Sequence, residues 1–299
     1  MGYGLRVART KKLFAALTRR GPHRVLRGDL AFAGLPGVVY TPAAGKNLPA
    51  VAFAHDWITS ARRYHGTLEH LASWGIVAAA PDTETGLAPS ALNLAYDLGT
   101  ALDIVAGVRL GSGGISVHPD KLGVAGHGFG ASAAVFAAAG RSTETVTGPK
   151  TVRPQAVFAA YPTITKPSAE QPAATLKVPG LILMTPEDPM TLQSNAVELA
   201  RAWKTATLRS TPKVKPGGLI EGRRLAPAVG LPGADRGTQK TVRALMTGYL
   251  LHTLSGHGNK GEYKDFADRE AELPKAPAVD PFAHDPVELQ EKVVALLKT

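Results

Sequence analysis

From residue 29 onward, short apolar runs rich in alanine or β-branched residues alternate with longer stretches of helical period. That alternation is the pattern of a parallel sheet covered by helices on both faces. Runs at 29–33, 37–41, 50–55, 76–80, 121–125, 155–160, 180–184 and 207–213 predict eight strands. Between them, residues 62–74 place Tyr64, Leu68, Leu71 and Ala72 on one helical face, and residues 90–108 repeat Leu94, Leu98, Leu102 and Val105 in the same way. The alanine-dense stretch 131–139 predicts a helix lying close to the sheet. Stretches 192–203 and 238–254 complete the central set, and 287–297 predicts a terminal amphipathic helix. Loops are rich in proline and glycine, and no repeat of solenoid length is present. The order predicts a single α/β domain over 29–299, in which the charged, proline-containing tail from 258 wraps the surface or meets a partner.

Residues 1–28 have a different character. On a helical wheel Tyr3, Val7, Thr10, Leu13, Phe14 and Leu17 share one side, while Arg9, Lys11, Lys12, Arg19 and Arg20 lie mostly on the other. A basic amphipathic helix of this kind can lie in an anionic membrane interface, dock on an acidic protein partner, or fold back on its own domain. For the first two, the contact with an anionic surface would fall to Arg6, Arg9, Lys11, Lys12, Arg19 and Arg20.

Charge sharpens that division. The net charge of +10 suggests nucleic-acid binding until it is located: residues 1–28 carry eight basic side chains and no acid, which leaves 26 basic against 24 acidic residues elsewhere. The body is nearly neutral, and the arm lacks the aromatic interleaving of a nucleic-acid module, so no nucleic-acid partner is expected. The chain has no cysteine, which excludes disulfides, thiolate metal sites and Cys nucleophiles. No apolar stretch approaches the ~20 residues of a membrane span, and Arg and Lys interrupt the first 25 residues; the expected location is cytoplasmic, with membrane association through the arm left open.

The stretch most informative about chemistry is Val117–Gly130, VHPDKLGVAGHGFG: a strand, a glycine-rich sharp turn and the start of a helix. It resembles the nucleophile elbow G-x-S-x-G of α/β-hydrolases. Gly126 and Gly130 match the small positions that flank the bend, where side chains would collide with neighbouring backbone. The nucleophile position itself is Gly128. The resemblance extends, over about residues 29–254, to the dienelactone-hydrolase and polyester-hydrolase-like branch of that superfamily. Residues 51–55, VAFAH, look like the strand leading to the oxyanion loop. Residues 71–82, LASWGIVAAAPD, look like the family's helix, strand and turn, and 178–188, VPGLILMTPED, is similar to the segment that delivers the catalytic acid. The resemblance implies an α/β-hydrolase fold without a large cap domain.

It also implies a degenerate site. The acid position falls on Asp188, with Glu187 as a one-residue alternative. The triad histidine is expected in the loop at 214–221, which reads VKPGGLIE; Pro216 stands there and no histidine does. His252, His257 and His284 lie well beyond that loop. Glycine has no side chain to attack with and proline none to accept a proton. Loss of both groups leaves only the ~10³–10⁴-fold acceleration over water that binding and an oxyanion hole provide. A third departure is Asp56, where the branch commonly has a small residue after the equivalent of His55. If it points inward, its carboxylate opposes the negative charge that backbone N–H groups of that loop and of Phe129 would stabilise.

The pocket expected from the resemblance is lined by His55, Asp56, Trp57, His127 and Phe129. No metal site or cofactor is expected: the His and acidic residues show no ligand spacing, and the turn at 126–131 fails the dinucleotide-loop template at its third glycine. Ser132, one helical turn past the bend, points along the helix and is a poor substitute nucleophile. The leading expectation is a catalytically inactive α/β-hydrolase-fold protein that serves in binding or assembly, through a protein partner, an anionic membrane surface or an acyl or lipid-like ligand. The alternatives are an ester hydrolase or lyase with a non-standard site around Asp56, His127 and Asp188, and a purely structural subunit of a complex.

Overall fold

In the computed structural model, which describes residues 2–143, 152–222, 233–254 and 261–283, helix α1 (Gly2–Leu17) is followed by strands β1 (Val25–Asp29), β2 (Gly37–Pro42) and β3 (Gly45–Ala54). Helix α2 (His65–Ser73), β4 (Val77–Pro81), α3 (Ala91–Gly107), β5 (Ile115–His127) and α4 (Phe129–Thr143) come next. They lead to β6 (Ala156–Ala160), α5 (Glu170–Thr175), β7 (Gly180–Met184), α6 (Ala196–Ala202), β8 (Ala206–Ser210), α7 (Arg236–Leu254) and a short β9 (Ala278–Val279). The nine strands form one sheet in the order β1-β2-β4-β3-β5-β6-β7-β8-β9. Pairing is parallel from β4 through β8, while β1, β2 and β9 pair antiparallel at the edges. This is an α/β fold of the α/β-hydrolase type, and the described residues contain no cap domain.

Alternation along the central strands decides what each face buries. In β3, Ala50, Ala52 and Ala54 enter a core shared with α3, α4 and α6, whereas Val51 and Phe53 enter a second core with α2 and α7. Both sets are fully buried.

Seven of the eight expected strands fall where the pattern places them. The first does not: residues 30–33 form a 3₁₀ turn, and the strand is Val25–Asp29. Asp29 accepts the Ala31 N–H at 2.9 Å, and Gly34 closes the turn at φ +85°, so local capping overrides the apolar run. The strand therefore falls largely inside the stretch taken for a separate arm. The ninth strand comes from the tail. The terminal helix expected at 287–297 lies outside the described residues.

The arm folds back on its own domain. Phe14 and Leu17 are buried in the second core, and the Phe14 ring stacks on Phe266 of the tail at 6.5 Å between centroids. Arg6 pairs with Asp265 at 2.7 Å and with Asp268, and Thr10 bonds to Asp265. Arg20 pairs with Glu69 at 3.1 Å. Two of the six cations expected to meet an external anionic surface, Arg6 and Arg20, are thus engaged within the chain. Arg9, Lys11, Lys12 and Arg19 remain exposed. The tail is held in turn by Arg209 of β8. Its fully buried guanidinium donates to the carbonyls of Ala276 (2.8 Å), Asp268 (2.7 Å) and Ala271 (3.0 Å).

Candidate functional site

The carboxyl ends of β3, β5, β6 and β7 meet at one edge of the sheet, where open α/β folds place their ligands. There β5 runs into Gly128, whose φ of +55° makes the sharp bend into α4. A Cβ on Gly126 would come within 2.1 Å of the Gly130 carbonyl oxygen, and one on Gly130 within 2.4 Å of the Ala54 and His55 oxygens. The bend admits only hydrogen at its two flanks, as the sequence spacing anticipates. The Gly128 N–H is held by Ala160 O at 2.9 Å, which ties the bend to β6.

Asp56, just past β3, points inward. A Cβ built on Gly128 would lie 2.0 Å from Asp56 Oδ1 and 2.4 Å from its Cγ. The carboxylate therefore occupies the space into which any side chain at 128 would project. Its Oδ1 accepts two backbone N–H groups, from Trp57 at 2.8 Å and from Phe129 at 3.0 Å. One comes from the loop after β3 and the other from the residue after the bend. Both converge on a single ionised oxygen, and such charge-assisted bonds are worth about 1.5–3 kcal/mol each.

The two histidines expected in the pocket lie beneath it. His55 is fully buried, with its ring nitrogens 2.9 Å from Asp56 O and 2.7 Å from Thr83 O, so it clamps the loop after β3 to the segment after β4. His127 is also buried, packed edge-on against Tyr64 and Tyr161. The Tyr64 hydroxyl accepts the Asp56 N–H at 3.2 Å and is hydrogen-bonded to His127 Nδ1 at 2.8 Å. Asp56 Oδ2 lies 4.0 Å from the same ring nitrogen.

Asp188 begins the 3₁₀ turn after β7 and is buried. The Thr185 hydroxyl donates to its Oδ1 at 2.7 Å, and burial pushes its carboxyl above the usual range. No hydrogen bond or ion pair among the described residues joins Asp188 to Asp56 or His127, so the three do not form one constellation. Pro216 opens the 3₁₀ turn 216–219, and its neighbour Gly217 lines the same cleft as Asp56. Ser132 is fully buried and donates to Thr163 O at 2.6 Å.

That cleft, of about 730 Å³, has Asp56, Trp57, Phe129, Ile164, Lys166 and Ile220 among its walls. Of the five expected pocket residues, Asp56, Trp57 and Phe129 line it. Apolar side chains crowd the rim: Trp57 is 51% exposed, Ile58 45% and Ile164 55%, and the Trp57 indole donates to Leu87 O at 3.1 Å. Three of the five non-glycine residues at positive φ follow strands at this edge: Ile58 (+47°), Glu84 (+54°) and Tyr161 (+53°). For β-branched Ile58 the conformation is costly, of order 1–3 kcal/mol. Sequence reasoning did not identify Ile164, Ile220 or Tyr161 as members of this neighbourhood; they carry no motif, and only the sheet order brings them to Gly128.

Among the described residues no three His, Asp or Glu side chains are grouped as metal ligands, and no helix is long and apolar enough to cross a membrane. No protein-family model matches the chain, and no curated protein is similar to it.

Proposed function

We propose that this chain is a non-catalytic member of the α/β-hydrolase superfamily, of dienelactone-hydrolase-like descent, whose cleft above Gly128 binds a small ligand without turning it over. The observation that carries the reading is the Asp56 carboxylate over Gly128. In an acyl-transfer enzyme of this fold the nucleophile's oxygen and the developing oxyanion use that space and those two N–H groups. Here a side chain of the protein takes both, and it brings the charge that an oxyanion would need to avoid. Backbone strain gathered at the cleft favours a working binding site over a filled structural scaffold, since strained residues persist where function requires them.

A hydrolase built on Asp56, His127 and Asp188 is less well supported. His127 is closed off from the cleft and bonded to Tyr64, and Asp188 bonds to Thr185. The arm can still meet an anionic surface through exposed Arg9, Lys11, Lys12 and Arg19, but as a charged face with Phe14 and Leu17 of its apolar side already buried.

Chromogenic short-acyl esters and a fluorophosphonate label test the reading directly. The full-length protein should give neither turnover nor labelling above a heat-denatured control. Turnover that disappears in Asp188→Ala would instead establish the active-site alternative.

A further inference from the structure

We infer that the cleft beside Gly128 is a site for a small organic cation: an ammonium group, primary or quaternary, on a compact apolar body. This rests on the reading of the cleft as a binding site and adds the chemistry of what it binds.

The floor of the cleft supplies the first half of the argument. Among the described residues Asp56 is the one acidic side chain in its wall. The carboxylate is fixed by two N–H groups on Oδ1, so its position needs no ordering when a ligand arrives. Those dipoles stabilise the negative charge without cancelling it. No Lys or Arg among the described residues pairs with Asp56, and the ring nitrogen His127 Nδ1, 4.0 Å from Oδ2, is also bonded to the Tyr64 hydroxyl at 2.8 Å. A carboxylate with no Lys or Arg partner among the described residues therefore sits, about three-quarters buried (24% side-chain exposure), at the base of a concave site. An anionic ligand is repelled there, and a neutral one leaves the charge uncompensated.

The walls supply the second half. Trp57, next to Asp56 in sequence, presents a half-exposed indole braced by its N–H to Leu87 O. An aromatic face beside a fixed carboxylate is the combination that recognises ammonium groups. Ile58, Ile164, Leu192 and Ile220 give the remaining wall an apolar character suited to the body of the ligand. Lys166, an exposed cation of the same wall, opposes a second positive charge on the ligand, so a monocation is favoured over a polyamine.

The test is calorimetric titration of the full chain with 2-phenylethylammonium and hexyltrimethylammonium, using 2-phenylethanol and 3-phenylpropionate as neutral and anionic counterparts. Both cations should bind, the alcohol more weakly and the carboxylate weakest. Asp56→Asn keeps an oxygen for the two N–H groups and removes only the charge; it should weaken the cations by about tenfold or more and leave the alcohol unchanged. Trp57→Leu, which leaves the carboxylate in place, should weaken hexyltrimethylammonium several-fold. Equal binding of cation and alcohol, undiminished cation binding in Asp56→Asn, or no cation binding at all would overturn the inference. The same protein is assayed for ester turnover: turnover would defeat the non-catalytic reading whatever binds, whereas absence of cation preference with no turnover would defeat only the cation site.

Discussion

Placing a serine at the bend should damage the protein unless Asp56 is removed first. In Gly128→Ser the new Cβ would stand 2.0 Å from Asp56 Oδ1, far inside van der Waals contact, so the carboxylate must swing away. It then gives up the N–H groups of Trp57 and Phe129. Water entering the open cleft recovers part of that loss, leaving a net cost of about 2 kcal/mol. A non-glycine residue at φ +55° adds about 1–2 kcal/mol. The single variant should therefore lose about 3–4 kcal/mol. In Asp56→Gly/Gly128→Ser only the conformational part remains, so a double-mutant cycle should show the two sites coupled by about 2 kcal/mol. Urea unfolding of the four proteins at one pH measures this, with equal m-values as the check that only stability has changed. Additivity to within about 0.5 kcal/mol would show that Asp56 does not occupy the space above Gly128. Adding Pro216→His to the double variant then asks whether a serine and histidine at these positions generate esterase activity, which tests the resemblance itself.

Two further predictions use pH. His70 is buried between α1, α2 and α7, and burial, reinforced by Arg243, lowers its pKa to about 4 from an unfolded value of 6.5. Its neutral form is favoured in the fold, so its contribution is complete above the unfolded value and is lost as pH falls from 6.5 toward 4, by about 3 kcal/mol in all. Urea unfolding of wild type and His70→Gln at pH 7 and 4.5 should show the extra acid sensitivity only in the wild type; identical pH dependence would refute it. Asp188 shifts the opposite way, because burial disfavours its carboxylate and Oδ2 lacks a hydrogen-bond partner. The ionised form is penalised as pH rises through the raised pKa. Asp188→Asn should stabilise the protein at neutral pH by about 1 kcal/mol and by less near pH 4, and a neutral-pH Tm below wild type would contradict this.

The strands and the bend were legible in the sequence because their signals are local. β7 matches its apolar run to the residue, and the glycine spacing around 128 reflects collisions with backbone only a few residues away or on the adjacent strand. The strand at 25–29 was obscured by a stronger apolar run whose fate Asp29 and Gly34 decide. The arm shows the opposite limit. Its apolar face is plain in the sequence, but what covers it is Phe266 and Asp265, some 250 positions away, and no periodicity reports on that. The same holds for Arg209, which reads as a strand cation and proves to be the clamp on the tail. For Asp56 the residue type was readable as a departure from the family pattern, whereas its direction depends on how the loop after β3 turns.

That direction links the two residues that depart from the pattern the sequence resembles. With a serine at 128, an inward Asp56 collides with the bend. With a glycine at 56, Gly128 would leave two N–H groups converging on an empty point, to be satisfied by water. Together the residues fill one volume and satisfy both donors, and the fold keeps the positive φ at the bend that a glycine holds without strain. On the proposed non-catalytic reading, an idle scaffold has no reason to fix a carboxylate on the floor of an open cleft, where desolvation opposes it. A matched pair with a net charge left toward the cleft is what a site rebuilt for a positively charged ligand requires, and the relation between Asp56 and Gly128 is for that reason the measurement on which the inactive-enzyme and cation-site readings both depend.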